Sequence, residues 1–414
     1  MPKSLIRPFA ALRPAPERAA EVAAPPYDVL NTEEARSMAG GKPLSFLHVS
    51  KPEIDLPEGT DPYSDAVYAR GAENLQQMIT DGVLVRDPAP CYYVYRLDMD
   101  GHRQTGIVAA GSMAAYEENR IRRHEFTTPV KEDDRVRQID ALGAQTGPVM
   151  VTHRRDAGVD AIVVQVTARP PAYEVTAEGS VVHTFWVVDD ADEINAISDC
   201  FDAMDAIYIA DGHHRSAAAS RVTAARCADD AAPTGDKAYD YFLIVSFPDD
   251  EVQILDYNRV VTDLNGSTPD EFFDKVGQSF VITASDGPAK PGAAGVFGMY
   301  VDGGWSRLTP KEPASTADPV AALDISLLSE RLLGPVLGIG DPRTDKRIAF
   351  VGGIRGMAEL ERRVDSGEMA AAFALYPTSL ADLMAVADAE QVMPPKSTWF
   401  EPKLADGLVS LVID

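Results

Sequence analysis

Short apolar runs broken by Asp-Gly and related turn residues set the rhythm of this chain. Residues 91–98 and 103–110 flank Asp100-Gly101. Residues 172–177 and 181–188 flank Glu178-Gly179, and 239–247 and 251–261 flank Pro248-Asp249-Asp250. A fourth pair brackets Asp302-Gly303-Gly304. β-Rich runs on either side of such residues predict hairpins, because a tight connection needs the positive φ that Asp and Gly tolerate. Helices are expected over 61–81, from Asp61-Pro62 to the stop at Asp81-Gly82, and near 191–204, 215–229, 268–277, 321–333, 356–366 and 378–388. Hairpins with interspersed helices predict an α+β protein rather than a doubly wound α/β sheet. The proline-rich first thirty residues read as extended chain with turns. Two stretches, 284–294 and 309–319, are rich in Gly, Pro and Ala and are candidate boundaries, so the chain is expected to divide into 1–283 and 295–414.

Composition changes this picture mainly by exclusion. The chain has 414 residues, 45% of them hydrophobic and 25% charged, which is ordinary for a globular protein. Its formal net charge of −26 opposes non-specific binding to nucleic acid or to anionic membranes, both of which depend on Lys and Arg neutralising phosphate. Cys91, Cys200 and Cys227 are too few and too scattered for a disulfide framework or a zinc cage. The N-terminus lacks an apolar signal core, and no run approaches transmembrane length. A cytoplasmic protein is the expectation, with oligomeric state left open.

Against this acidic background, three segments carry chemistry. Residues 207–215 read Ile-Tyr-Ile-Ala-Asp-Gly-His-His-Arg. A strand ending at Ala210, a turn at Asp211-Gly212 and an alanine-rich helix place His213, His214 and Arg215 at a helix start. There the first N–H groups lack intrahelical partners and the macrodipole favours an anion such as phosphate. Asp211 could hold a metal ion or accept a proton, or simply cap the helix. Adjacent histidines point roughly 100° apart on a helix, so they do not chelate one ion as an i, i+4 pair would.

The second segment, 120–135, is a basic island with Glu125 between His124 and Phe126, followed by Thr127 and Thr128. Glu125 is a candidate general base; the competing reading is a solvated charged loop. The third, 393–403, joins two prolines, two aromatics and Lys396-Ser397-Thr398, an ammonium and two hydroxyls for an anionic ligand, or else a docking strand. No P-loop, Rossmann fingerprint or nucleophile elbow is present; the glycines at 334–340 and 352–356 are weak nucleotide signals.

Together, Arg-Pro-Phe-Ala-Ala-Leu-Arg-Pro at 7–14, Ala-Pro-Pro-Tyr-Asp-Val at 24–29, Arg-His-Glu-Phe-Thr at 123–127, Ala-Asp-Gly-His-His-Arg at 210–215 and Met-Pro-Pro-Lys-Ser-Thr-Trp-Phe at 393–400 resemble the bacterial and archaeal proteins catalogued as domain of unknown function 1015. That family is related to the ParB/sulfiredoxin fold and to the free serine kinases built on it. The resemblance implies a ParB/sulfiredoxin-like nucleotide-binding core with inserted strands, followed by a C-terminal extension whose 393–403 segment returns to the site. It implies Glu125 and Asp211 as catalytic residues and Mg²⁺ held at Asp211. Gly212, His213, His214, Arg215, Arg123 and Lys131 would grip the phosphates of ATP or ADP. His124, Thr127, Lys396, Ser397 and Thr398 would meet the acceptor, L-serine. The late segment has serine where those kinases have threonine. The turn that carries the catalytic cysteine of sulfiredoxin holds histidines here, so sulfinic acid reduction is not expected. The alternative is a CTP- or ATP-binding switch or sensor without kinase activity.

Overall fold

The computed structural model describes residues 4–314 and 317–414. Met1–Lys3 of the expected extended segment, and Ser315 and Thr316 of the expected boundary at 309–319, lie outside them. The class is α+β. Two compact units are present. The first takes the chain up to Arg123, Thr127–Val252 and Pro402–Asp414; the second takes His124–Phe126 and Gln253–Glu401.

The first unit is built on a mixed sheet, nine-stranded among the described residues. Its order runs Ile121–Arg122, Ile207–Asp211, Val149–His153, Tyr241–Pro248, His102–Ser112, Tyr92–Met99, Val182–Val188, Tyr173–Thr176, with Ile6–Arg7 also paired to His102–Ser112. Neighbours are antiparallel except that Ile207–Asp211 runs parallel to Ile121–Arg122, and Val149–His153 parallel to Tyr241–Pro248. One face buries Tyr92, Val94, Ile107, Val151, Ile207, Ile209 and Ile244 against the helices Ala157–Thr167, Ala191–Asp202 and His213–Asp229. Each such side chain removed from water contributes about 1.5–3 kcal/mol. Two of these helices start on aspartate caps. Asp156 accepts from the amides of Gly158 and Val159, and Asp190 from those of Asp192 and Glu193. A smaller cluster packs Val22, Phe46, Leu47, Val49, Leu75 and Met78. It is fed by the helix Asp65–Thr80, whose buried positions Val67, Tyr68, Gly71, Leu75 and Met78 recur at helical spacing.

The second unit has an antiparallel sheet, six-stranded among the described residues, in the order Phe280–Ser285, Gly304–Pro310, Phe297–Val301, Ala371–Ala374, Tyr257–Val261, Ile348–Gly352. Among the described residues, no helix is long and apolar enough to cross a membrane.

Three of the four expected hairpins form. Tyr92–Met99 pairs with His102–Ser112 through Asp100 (φ 49°) and Gly101 (φ 82°), and Phe297–Val301 with Gly304–Pro310 through Asp302 and Gly303. Tyr173–Thr176 pairs with Val182–Val188. The hairpin expected around Pro248-Asp249-Asp250 does not form. Both edges of Tyr241–Pro248 are already taken, by His102–Ser112 and Val149–His153, so the following strands Gln253–Leu255 and Tyr257–Val261 pair within the second unit. The structure also has helices at Pro129–Leu142 and Ala157–Thr167 beyond those expected.

Close packing of the sheet fixes Gly106. A Cβ there would stand 2.7 Å from the Ser246 carbonyl oxygen and 2.8 Å from the Phe247 ring. Gly106→Ala should therefore lower stability by about 1–3 kcal/mol in urea unfolding; a change below about 0.5 kcal/mol would mean that the strands part without cost.

Candidate functional site

Ile207–Asp211 is a buried strand because Ile207 and Ile209 face the core. Its antiparallel register with Val149–His153 shifts between Ile209 and Asp211, the irregularity by which a strand end re-aims a side chain. Gly212 follows at φ 102°, ψ 27°, and the helix His213–Asp229 starts immediately after it. The Gly212 carbonyl accepts from the amides of Arg215 at 2.9 Å and Ser216 at 3.0 Å. Only glycine takes this backbone without strain, and a Cβ would also meet the Arg215 guanidinium at 3.1 Å. The expected strand, turn and helix start are therefore present within a residue or two.

Asp211 is partly exposed, and Lys403 Nζ donates to its Oδ2 at 3.0 Å; Arg215 Nη2 stands 4.0 Å away. Burial works against ionisation, but Lys403 and Arg215 outweigh it and hold the carboxyl well below the usual carboxylate range. Asp211 is thus a permanent anion and a poor proton acceptor near neutral pH. No hydrogen bond reaches its Oδ1 among the described residues, which leaves an oxygen for a cation.

His213 is buried. His214 Nε2 accepts from the Thr128 amide at 3.1 Å and lies 3.3 Å from Thr128 Oγ1. Arg215 donates through Nη1 to the Pro148 carbonyl. Arg123 is exposed, its guanidinium 4.7 Å from the Tyr116 ring centroid. Thr127 Oγ1 donates to Glu132, and Lys131 is exposed in the first turn of Pro129–Leu142. That helix runs beside His213–Asp229, joined by Arg221 to Asp133 at 2.7 Å.

Of the remaining expected residues, His124, Glu125, Lys396, Ser397 and Thr398 belong to the second unit. There the His124 carbonyl accepts from the Met393 amide at 2.8 Å, which ties the His-Glu segment to the start of the proline-rich turn. Lys396 has φ 60°, Ser397 Oγ donates to the Pro394 carbonyl at 2.6 Å, and Thr378 Oγ1 to the Ser397 carbonyl at 2.8 Å.

Two residues were not selected from the sequence. Lys403, at the end of the 393–403 segment, neutralises Asp211. Arg259 is 1% exposed, and its Nη2 donates to the carbonyls of Lys396 at 2.8 Å and Pro395 at 3.3 Å. Burial lowers its pKa to about 9, and no carboxylate pairs with it among the described residues. Its signal was legible, an arginine inside the strand-forming run Tyr257–Val261. Arg259→Met should shift the melting temperature by no more than a few degrees, because an unpaired buried charge is itself costly. Amide exchange over 396–398 should accelerate at least about tenfold as the neighbouring carbonyls lose their donor. Unchanged exchange would show that the turn is held by other means.

A family profile described as "Protein of unknown function (DUF1015)" matches residues 6–326. The sequence matches no curated protein. Similar solved structures include a free serine kinase in complex with AMP (TM-score 0.36, 11% identity, covering 73% of this chain and 92% of that one). A conserved hypothetical protein from Pyrococcus furiosus scores 0.34 at 12% identity, covering 73% and 93%. SbnI with a C-terminal truncation from Staphylococcus aureus scores 0.37 at 10% identity, covering 72% and 85%. At these values the likeness carries no functional argument.

Proposed function

Because the chain belongs to the DUF1015 family, whose function is unknown, its activity has to be read from its own residues, and we propose that it is a small-molecule kinase transferring phosphate from ATP or ADP to the hydroxyl of free L-serine. The observation that carries this reading is Asp211. A carboxylate kept ionised sits one residue before a left-handed glycine that opens a 17-residue helix. Phosphoryl transfer asks a protein mainly for positioning and charge neutralisation. The helix start with the Gly212 turn, His213 and His214 is suited to phosphate oxygens, with Arg215, Arg123 and Lys131 adding positive potential.

Mg²⁺ fits Asp211, because that ion takes one or two carboxylates together with substrate phosphates. Bound there, it would neutralise charge on the phosphates. Glu125 is assigned the proton of the attacking hydroxyl because the His124-Glu125 segment resembles the His-Glu segment expected of serine kinases. His124, Thr127, Lys396, Ser397 and Thr398 are assigned to the acceptor on the same ground.

The test is incubation of the purified protein with Mg²⁺, L-serine and either ATP or ADP, read by mass spectrometry. O-Phosphoserine is expected. No product from any nucleotide and any small hydroxyl acceptor would overturn the kinase reading in favour of a ligand sensor. CTP-dependent retention on DNA would favour a switch.

A further inference from the structure

Within the first unit, beside the helix start, lies a recess of about 30 Å³. Its walls include Tyr27, Ser50, Arg135, Thr146, Arg215 and Asp406; of the five residues Asp211–Arg215, only Arg215 lines it. A cavity needs about 10–15 Å³ on this measure to hold one water, so the recess takes two or three water-sized groups. That suits a small polar head group and excludes a base or ribose.

The charges around it are incompletely matched. Arg135 donates through Nε and Nη2 to Asp134 and stacks its guanidinium 3.8 Å from the Tyr27 ring centroid, which leaves Nη1. Arg215 spends Nη1 on the Pro148 carbonyl. Its nearest carboxylates are distant, Asp28 at 3.9 Å and Asp211 at 4.0 Å. Asp406 is 2% exposed and accepts one weak bond, from the Tyr27 amide at 3.3 Å. It forms no ion pair with either arginine among the described residues. Two guanidinium groups, each with an edge left over, and a buried carboxyl that pairs with neither therefore surround one space. Ser50 Oγ is buried with no hydrogen-bond partner among the described residues, and the Tyr27 phenol, pushed up to about 12 by burial, stays a neutral donor. Buried polar groups left this way cost free energy unless something completes them.

We propose that this recess binds the head group of an α-amino acid, with the carboxylate on Arg215, the free edge of Arg135 and the Ser50 and Tyr27 hydroxyls, and the ammonium on Asp406. A zwitterion brings a carboxylate to the guanidinium edges and an ammonium donor to the Asp406 carboxyl, whereas a plain anion offers that carboxyl no donor. For the acceptor's head group the inference replaces the residues assigned by resemblance, and it moves Arg215 from the phosphates to the carboxylate; it rests on the kinase reading only for the chemical step, the binding claim resting on the recess.

The test is isothermal titration of the full chain with L-serine, D-glycerate, ethanolamine and inorganic phosphate, each with and without ADP. Glycerate lacks the ammonium and ethanolamine the carboxylate, so each should bind at least about tenfold more weakly than L-serine. Asp406→Asn, nearly isosteric and checked by its melting curve, should weaken L-serine about tenfold or more and leave glycerate unchanged or improved. Ser50→Ala, which deletes an unpartnered hydroxyl, should weaken both. Glycerate or phosphate binding as well as L-serine, no binding of any proteinogenic amino acid, or L-serine affinity unchanged in Asp406→Asn would each overturn the proposal. The two readings fail separately. Amino-acid binding without phosphorylated product retires the kinase and leaves the recess intact. Serine kinase activity with an unaltered KM in Asp406→Asn retires the recess and leaves the kinase.

Discussion

Glu125→Gln should lower phosphoryl transfer to serine by about 10²- to 10⁴-fold, the usual range for loss of a general base, while nucleotide affinity stays within about threefold. The amide is almost the same size as the carboxylate and keeps an acceptor oxygen, but it cannot take the proton of an attacking hydroxyl. The other carboxylate in the proposed machinery cannot replace it. Asp211 is held ionised by Lys403 and Arg215, and a group whose proton affinity lies far below the operating pH is a weak acceptor in the transition state. Single-turnover phosphoserine formation against nucleotide titration separates the two effects. A fully active Glu125→Gln enzyme would remove Glu125 from the mechanism; a loss confined to nucleotide affinity would make it a binding residue.

Asp406→Asn should stabilise the ligand-free protein above neutral pH by a few kcal/mol and have almost no effect below about pH 4. Burial raises the Asp406 carboxyl to about 7, opposed by Arg215 and Arg135 and reinforced by Asp28. In the unfolded chain it titrates near 3.8. Below the lower value both states are protonated and the residue is neutral to stability. Between the two, the folded state keeps a proton that the unfolded state has lost, so stability falls as pH rises, by up to about 1.4 kcal/mol per unit. Above about 7 the loss is complete and constant. Asparagine has no proton to lose, so the difference between variant and parent should grow from pH 4 to 7 and then level off. Denaturant melts at half-unit pH intervals read this directly. A difference that is flat with pH would mean that Asp406 is not buried as a lone acid.

The strand, left-handed glycine and helix around Asp211 were legible because every determinant is local: two isoleucines facing one way, a glycine, then an alanine-rich run. The hairpins at Asp100-Gly101 and Asp302-Gly303 were legible for the same reason. The expectation failed at Pro248-Asp249-Asp250, where the turn residues are suitable but the strand's edges are filled by partners distant in sequence. Pro129–Leu142 escaped notice because only Gln138 and Ile139 of that helix are buried, leaving little apolar periodicity to detect. Lys403 reaches Asp211 across 192 positions, and no spacing rule anticipates that pairing. Arg259 and Asp406 carried a subtler signal, a lone charge inside a short, otherwise uncharged run, as in Leu404-Ala405-Asp406 before Leu408-Val409.

Residues 402–414 return to the first unit after the whole of Gln253–Glu401 has been used for the second. During synthesis on the ribosome, the large sheet has all its strands once Pro248 has emerged, yet Lys403 and Asp406 are then still unmade. The nascent chain thus passes through a stage in which Asp211 lacks its ammonium and the recess lacks its acid. The order of translation keeps the proposed chemistry incomplete until the second unit has been built.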